Sequence, residues 1–184
     1  MQCPGCGHDN LPGADQCEQC QISLAQEDVP VAGIRSRIEQ GLCEDRVERL
    51  DPVAAVSVSE ETPLDAAIRT MRSKRIGCLL VTDTRGMLCG ILTERDLVNQ
   101  VAGIVEDLAA HTVHQFMTPR PETVQANDLL ASALQRMMVG NLRYLPLVDN
   151  DGRPEKVLSS RDIINYVALM YAFTQSKHES PLAE

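Results

Sequence analysis

Four cysteines near the start of the chain carry the clearest chemical signal in the sequence. Cys3 and Cys6 form one C-x2-C pair, and Cys17 and Cys20 form a second, in the segment CPGCGHDNLPGADQCEQC. Each pair places two thiolates on one tight turn, and two facing pairs supply the four soft ligands of a tetrahedral zinc site. Four thiolates also suit iron, so a rubredoxin-like electron-transfer site is the alternative. The short loop between the pairs favours zinc.

This segment, from residue 3 to about residue 25, resembles the short zinc-ribbon family of bacterial proteins, with Asn10 and Ala14 at matching positions. It contains so few sizeable aliphatic residues that bound metal must supply its folding energy. Members of that family act as adaptors or as nucleic-acid contacts. Residues 1–30 contain no Lys or Arg, which a phosphate-binding surface requires. The ribbon is therefore predicted to meet protein, and a nucleic-acid-associated regulator is the alternative.

A second chemical motif occurs twice, in GILTERDLVN and in KVLSSRDIIN. Each copy has a hydroxyl residue, then an arginine and an aspartate: Thr93, Arg95 and Asp96, and Ser159, Arg161 and Asp162. A helix N-terminus offers free N–H groups to an anion, a carboxylate can accept both ribose hydroxyls, and an arginine can meet a phosphate. The motif would therefore suit a nucleoside phosphate. The same residues would also form an ordinary helix cap, worth about 1 kcal/mol, and both interpretations stay open.

The motif belongs to a longer repeat that must position it. When Thr93 is aligned with Ser159, identical residues recur without a gap through both copies, among them Val58 with Val124, Leu64 with Leu130, Met71 with Met137, Leu92 with Leu158 and Asn99 with Asn165. Each copy is predicted to run strand, helix, strand, strand, helix. A copy of about 60 residues is too small to bury its own sheet well. The two copies should therefore pack about a pseudo-twofold axis, with the motifs facing a cleft between them.

Residues 46–172 resemble a pair of CBS domains, the module named after cystathionine β-synthase. The matching segments are QFMTPRPETV before the second copy, LRYLPLVD at its second strand, and GILTERDL and VLSSRDI at the closing helices. The resemblance implies an α/β (α+β) fold in which two tandem β-α-β-β-α repeats form one disc. It also implies that the disc often pairs in a homodimer and binds AMP, ADP, ATP or S-adenosylmethionine in the cleft.

The resemblance also assigns roles to individual residues. The hydroxyls and ribose-binding acids of the two sites correspond to Thr93 with Asp96 and to Ser159 with Asp162. The backbone around Arg143 and Tyr144 would flank adenine in the second site. The first copy lacks the proline found at Pro146, and the second has PEK where the first has LCG. Occupancy of one, both or neither site is left open, so a ligand-free structural dimer is an alternative.

The predicted organisation has five parts. Ile34, Ile38 and Leu42 lie at helical spacing and indicate a helix that ties the ribbon to the repeat, although a solvated linker is the alternative. The parts are a zinc ribbon at 1–25, a linker and connecting helix at 26–47, CBS domains at 48–105 and 112–172, and a polar tail at 173–184.

Composition excludes several classes of function. The chain has 184 residues, a net charge of -9 and no Trp, so nucleic acid is disfavoured as a partner. It has no apolar run of about 18 residues to span a membrane and no secretory signal, which predicts a cytoplasmic location. It shows no Ser-His-Asp, P-loop or Rossmann signature, which predicts that it is not an enzyme. The sequence thus predicts a regulatory protein with structural zinc, an adenosine nucleotide as ligand and an unidentified protein partner.

Overall fold

The computed structural model describes residues 3, 8–11, 14, 16–21 and 37–176. These residues form a mixed α/β structure with two sheets, which confirms the predicted fold class. The strands are β1 (Val53–Ala54), β2 (Ser57–Ser59), β3 (Cys78–Thr82), β4 (Leu88–Thr93), β5 (Thr118–Pro119), β6 (Tyr144–Val148) and β7 (Pro154–Ser159). The α-helices are α1 (Arg37–Glu44), α2 (Leu64–Lys74), α3 (Glu94–Asp96), α4 (Leu130–Val139) and α5 (Ser160–Ser176).

Each repeat contributes one lobe, and the lobes exchange their leading strands. One sheet has the order β2-β3-β4-β5 and the other has the order β1-β7-β6. Strand β1 precedes the first copy but pairs with β7 of the second copy, with Val53 opposite Val157. Strand β5 precedes the second copy but pairs with β4 of the first, with Pro119 opposite Gly90. This exchange fixes the two lobes against each other and places the cleft between them.

The repeated apolar residues form two equivalent cores. Leu64, Ala67 and Met71 of α2 are buried in the first, and their counterparts of α4 are buried in the second. Strand β3 is buried on both faces, because Cys78 and Leu80 pack in a third cluster that also contains residues of β4 and β7. This double burial explains why the segment reads as a continuous apolar run rather than an alternating one.

Two predicted elements are shorter than the sequence pattern indicates. The predicted strand PETVQ is reduced to a single bridge between Val124 and Leu147. The Asp128 carboxylate accepts the Gln125 N–H at 3.1 Å, so the chain turns there instead of extending. The first closing helix, α3, has three residues and continues only as a π-helical turn over Leu97–Val101. The following segment LVNQVAG aligns with IINYVAL of α5, and its main difference is Gly103, which has a φ of 73° where the second copy has Leu169, so the helical path ends there.

The predicted connecting helix is present as α1 and packs on the second lobe. Leu42 lies against the second-lobe core, and the Tyr166 hydroxyl of α5 donates a hydrogen bond to the Asp45 carboxylate. A Cβ at Gly41 would lie 2.2 Å from the Tyr166 hydroxyl, so only glycine permits this approach. Ile34, the first residue of the predicted apolar face, lies outside the described residues. In the described part of the chain, the helices are too short or too polar to cross a bilayer.

Candidate functional site

The two repeated motifs form the same capped helix start. In the first copy, the Thr93 N–H and hydroxyl donate to Oδ2 of Asp96 at 2.8 and 2.6 Å. In the second, the Ser159 N–H and hydroxyl donate to Oδ2 of Asp162, both at 2.7 Å. Each aspartate N–H returns a 3.3 Å hydrogen bond to the hydroxyl oxygen. The helix-cap interpretation therefore holds in both copies, and it uses one carboxylate oxygen of each aspartate.

The second carboxylate oxygen distinguishes the two copies. Oδ1 of Asp96 accepts a 3.3 Å hydrogen bond from the Thr118 hydroxyl. Oδ1 of Asp162 accepts no hydrogen bond from any other described residue. Asp162 can therefore cap its helix and still accept a ligand hydroxyl.

Each cap faces a loop of the other copy across the cleft between the lobes. The Thr93 cleft has a volume of about 280 Å³ and is lined by residues 91, 93–96, 118, 120–122 and 141–144. The Ser159 cleft has a volume of about 800 Å³ and is lined by residues 53, 54, 56, 75–78, 94, 143, 144, 157, 159–162 and 164. Arg143 and Tyr144 border both clefts, and Ile76 to Cys78 of the first copy face the Ser159 motif.

The charged side chains around the two clefts differ in balance. The Thr93 cleft has three arginines and three carboxylates: Arg95, Arg120 and Arg143 with Glu94, Asp96 and Glu122. The Ser159 cleft has three arginines and two carboxylates: Arg75, Arg143 and Arg161 with Glu94 and Asp162. Arg95 donates to the Asn141 carbonyl at 3.0 Å. The guanidinium groups of the Ser159 cleft form no ion pair or hydrogen bond with another described residue.

A neutral aromatic and a neutral thiol complete the wall of the Ser159 cleft. Burial, together with the nearby Glu94 carboxylate, raises the pKa of the Cys78 thiol to about 12. Burial likewise raises the pKa of Tyr144. The Tyr144 hydroxyl lies over Gly77, where an added Cβ would be only 2.0 Å away. Both groups therefore stay protonated near neutral pH, and neither is a ready nucleophile.

Arg75 lines the Ser159 cleft and is not among the site residues predicted from the sequence. It ends helix α2 in the left-handed conformation, with φ 55° and ψ 44°. Its counterpart in the second copy is Asn141, with φ 50°. The repeat alignment of Arg75 with Asn141 was the available signal, since asparagine adopts this conformation readily and arginine does not.

Three of the four predicted metal ligands lie together. The Sγ atoms of Cys3, Cys17 and Cys20 lie within 4.8 Å of one another, and those of Cys3 and Cys20 are 3.6 Å apart. A tetrahedron with zinc–sulfur bonds of about 2.3 Å has sulfur–sulfur edges of about 3.8 Å, so this spacing suits the metal. Cys6, the fourth predicted ligand, lies outside the described residues.

The Asn10 side chain connects two backbone segments that lie next to the cysteine pairs. Its side-chain amide donates to the His8 carbonyl at 3.0 Å, and its Oδ1 accepts the Glu18 N–H at 3.0 Å. The Cys3 N–H also donates to the His8 carbonyl, at 2.8 Å. Asn10 is 6% exposed and is therefore a structural residue of this segment.

The repeated lobes and their capped closing helices define a pair of CBS domains. The family model described as "CBS domain" matches residues 47–103 and 113–169. The chain therefore belongs to the CBS-domain family.

Curated and solved proteins agree with this membership. The CBS domain-containing protein CBSCBSPB5 of Arabidopsis thaliana is 33% identical over 137 residues, which cover 74% of this chain and 24% of the plant protein. The chain thus spans about a quarter of the length of that relative. The structure of CBSX2 in complex with AMP has a TM-score of 0.59 at 22% identity, covering 68% of this chain and 98% of CBSX2. A CBS domain protein of Pyrobaculum aerophilum complexed with AMP has a TM-score of 0.57 at 24% identity, covering 67% and 98%.

Proposed function

We propose that the chain is a cytoplasmic, non-enzymatic regulatory protein that binds an adenosine nucleotide between its CBS domains and transmits this state to a protein partner. The carrying observation is the Ser159 cleft, where an uncommitted carboxylate oxygen of Asp162 shares one cavity with three arginines that have no ion pair among the described residues. The AMP complexes of two proteins with this fold support the choice of ligand class. Candidate ligands are AMP, ADP, ATP and S-adenosylmethionine.

Different residues of the Ser159 cleft would contact the ribose, the phosphate and the base of such a ligand. Asp162 accepts ribose hydroxyls through Oδ1 while Oδ2 keeps the helix cap intact. Arg161 meets phosphate, because a guanidinium matches phosphate oxygens in a two-pronged arrangement. Ile76 and Val157 supply apolar surface for the base, beside the Tyr144 ring. The predicted roles of Thr93, Arg95 and Asp96 would place an equivalent ligand in the smaller cleft.

The four N-terminal cysteines are proposed to hold one structural zinc ion. Cys3, Cys17 and Cys20 have suitable spacing, and Cys6 completes the C-x2-C pairs in the sequence. Bound zinc would fold a segment that lacks an apolar core, and it would supply no redox chemistry. Iron in the same site would colour the protein red, so metal analysis separates the two.

A homodimer is proposed to form through the CBS pair. Val98 and Ile164 occupy equivalent positions after the two motifs, and they are 67% and 64% exposed. Two exposed apolar residues related by the pseudo-twofold axis suit a symmetric contact. The unidentified protein partner would then contact the ribbon or the outer surface of the disc.

Thermal unfolding with each candidate nucleotide tests the proposed ligand class. Nucleotide at 100 times its Kd should stabilise the wild-type protein by about 2.7 kcal/mol. Asp162→Asn keeps an oxygen for the cap but loses the carboxylate, so it should abolish the shift for a ligand held in the Ser159 cleft. Asp96→Asn makes the same chemical change in the other cap and reports on the Thr93 cleft. A wild-type protein that responds to none of the four nucleotides would refute the proposal.

A further inference from the structure

We propose that the chain binds a single nucleotide, in the Ser159 cleft, and that Arg75 makes this site selective for a di- or triphosphate. This inference rests on the proposed nucleotide-binding function and specifies its site and ligand class. Four observations carry it: the sizes of the clefts, their internal contacts, the conformation of Arg75 and the charge balance.

The two clefts differ in volume, and this difference bears on which of them can hold a nucleotide. Small-molecule sites in proteins have volumes of about 300–1,000 Å³. The Ser159 cleft, at about 800 Å³, lies well inside this range. The Thr93 cleft, at about 280 Å³, lies below it. The Ser159 cleft is therefore nearly three times as large as the Thr93 cleft and offers more room for a complete nucleotide.

Contacts within the protein already engage two polar groups of the Thr93 cleft. Arg95 of the first copy donates to the Asn141 carbonyl of the second copy at 3.0 Å, which bridges the cleft. Thr118 donates to the ribose-binding oxygen of Asp96 at 3.3 Å. A ligand there would have to replace both hydrogen bonds before gaining its own. The equivalent groups of the Ser159 cleft, Arg161 and Oδ1 of Asp162, make no such contacts among the described residues.

The backbone conformation of Arg75 points to a role beyond ending a helix. Its left-handed conformation is sterically unfavourable for a side chain such as arginine. Its counterpart Asn141, which follows the Gly140 C-cap of helix α4, also has a positive φ but is a residue that tolerates this conformation. Backbone strain of this kind is concentrated at ligand sites. Arg120, with a φ of 47°, has a similar conformation at the Thr93 cleft, so the strain marks both arginines as cleft residues and the other three observations decide between the clefts. Arg75 lines the large cleft and is exposed, so its guanidinium is available to a ligand.

The excess of arginines over carboxylates in the Ser159 cleft favours a ligand with more than one phosphate. Arg161 belongs to the motif of the second copy, whereas Arg75 lies on the first copy, on the opposing wall of the same cleft. One phosphate is satisfied by the motif arginine, because a guanidinium can donate two hydrogen bonds to phosphate oxygens. A longer phosphate chain can also reach Arg75 and neutralise the excess positive charge of this cleft. Such a ligand would join the two lobes, which gives the nucleotide a means to change the arrangement of the disc.

Isothermal titration of the full chain with ATP, ADP, AMP and adenosine tests this assignment. We expect one ATP per chain and loss of binding in Asp162→Asn. Arg75→Asn should weaken ATP binding by about tenfold or more, since a charged hydrogen bond is lost, and should change adenosine binding by less than about twofold. Arg120→Asn is the matched control, because Arg120 also has a positive φ, of 47°, but lines the other cleft. It should leave the affinity for ATP unchanged.

Three results would overturn the assignment while leaving nucleotide binding intact. They are two ATP per chain, loss of binding in Asp96→Asn but not in Asp162→Asn, or an equal loss of affinity for adenosine and ATP in Arg75→Asn. Failure of the wild-type chain to bind any of these four probes, or S-adenosylmethionine, would instead refute the proposed function itself.

Discussion

At the scale of single residues, the two copies have the same motif but different surroundings. The sequence correctly predicts the capped motifs, because hydroxyl, arginine and aspartate are neighbours in the chain. It does not predict that the Thr118 hydroxyl donates a hydrogen bond to Oδ1 of Asp96. It also does not predict that Oδ1 of Asp162 accepts no such hydrogen bond from the described residues. Nor does it predict that Arg75 lines the Ser159 cleft. These contacts join residues far apart in sequence, so no local pattern encodes them.

The strain at Arg75 predicts a gain in stability when it is replaced. Arg75→Asn should raise the free energy of unfolding of the ligand-free protein by about 1 kcal/mol, because asparagine accepts the left-handed conformation more readily. Urea unfolding measures the change. The reciprocal variant Asn141→Arg should lower the stability by a similar amount. Equal stability of all three proteins would show that the backbone at Arg75 is unstrained.

The cysteines outside the ribbon should differ widely in reactivity. Cys43 is exposed, whereas Cys78 is 8% exposed and burial raises its pKa to about 12. Because the thiolate is the reactive form, a brief iodoacetamide pulse near pH 8 should modify Cys43 well before Cys78. Mass spectrometry of the peptides gives the two rates. Equal rates would contradict the described burial of β3.

At the scale of elements, the strand exchange and the docking of α1 organise the molecule. Helical spacing predicts α2 and α4 correctly, since apolar residues recur on one face. The exchanged strands β1 and β5 have two residues each, too few for a periodic pattern, so their pairing with the opposite lobe could not be predicted. The packing of α1 on α5 depends on Gly41 and Tyr166, which lie far apart in the chain.

Tyr166→Phe tests the docking of α1. The variant removes the hydrogen bond to Asp45 and should lower the free energy of unfolding by about 1–2 kcal/mol. Burial and the Asp45 carboxylate raise the Tyr166 pKa from 10.0 to about 12. The folded state therefore holds this proton more tightly, and the stability from Tyr166 should decline as pH rises from 10.0 towards about 12. Urea unfolding across this pH range should show a shallower decline for the variant, and an identical decline would contradict the contact.

At the scale of the whole molecule, the two repeats form one structural unit through their exchanged strands. Each cleft takes its cap from one copy and its opposing loop from the other, so a ligand contacts both lobes at once. Helix α1 joins the second lobe, and the cysteine pairs precede it in the chain. The proposed path from nucleotide to partner therefore runs from the cleft through the second lobe to α1.

Metal removal should separate the ribbon from the CBS pair. The purified protein is expected to contain one zinc ion per chain and to be colourless. Chelation should release the metal and expose the ribbon thiols, while the main unfolding transition stays in place, because both cores are built from residues 42–170. Metal analysis and urea unfolding measure the two effects. A red, iron-containing protein, or loss of the main transition on chelation, would contradict this expectation.

A crystal structure of the full chain grown with ATP tests the central claim most directly. We expect one ATP per chain in the Ser159 cleft, with its ribose on Oδ1 of Asp162 and its phosphate chain between Arg161 and Arg75. The Thr93 cleft should keep the hydrogen bond from Arg95 to the Asn141 carbonyl. Density for ATP only in the Thr93 cleft, or an empty Ser159 cleft at saturating ATP, would contradict the account.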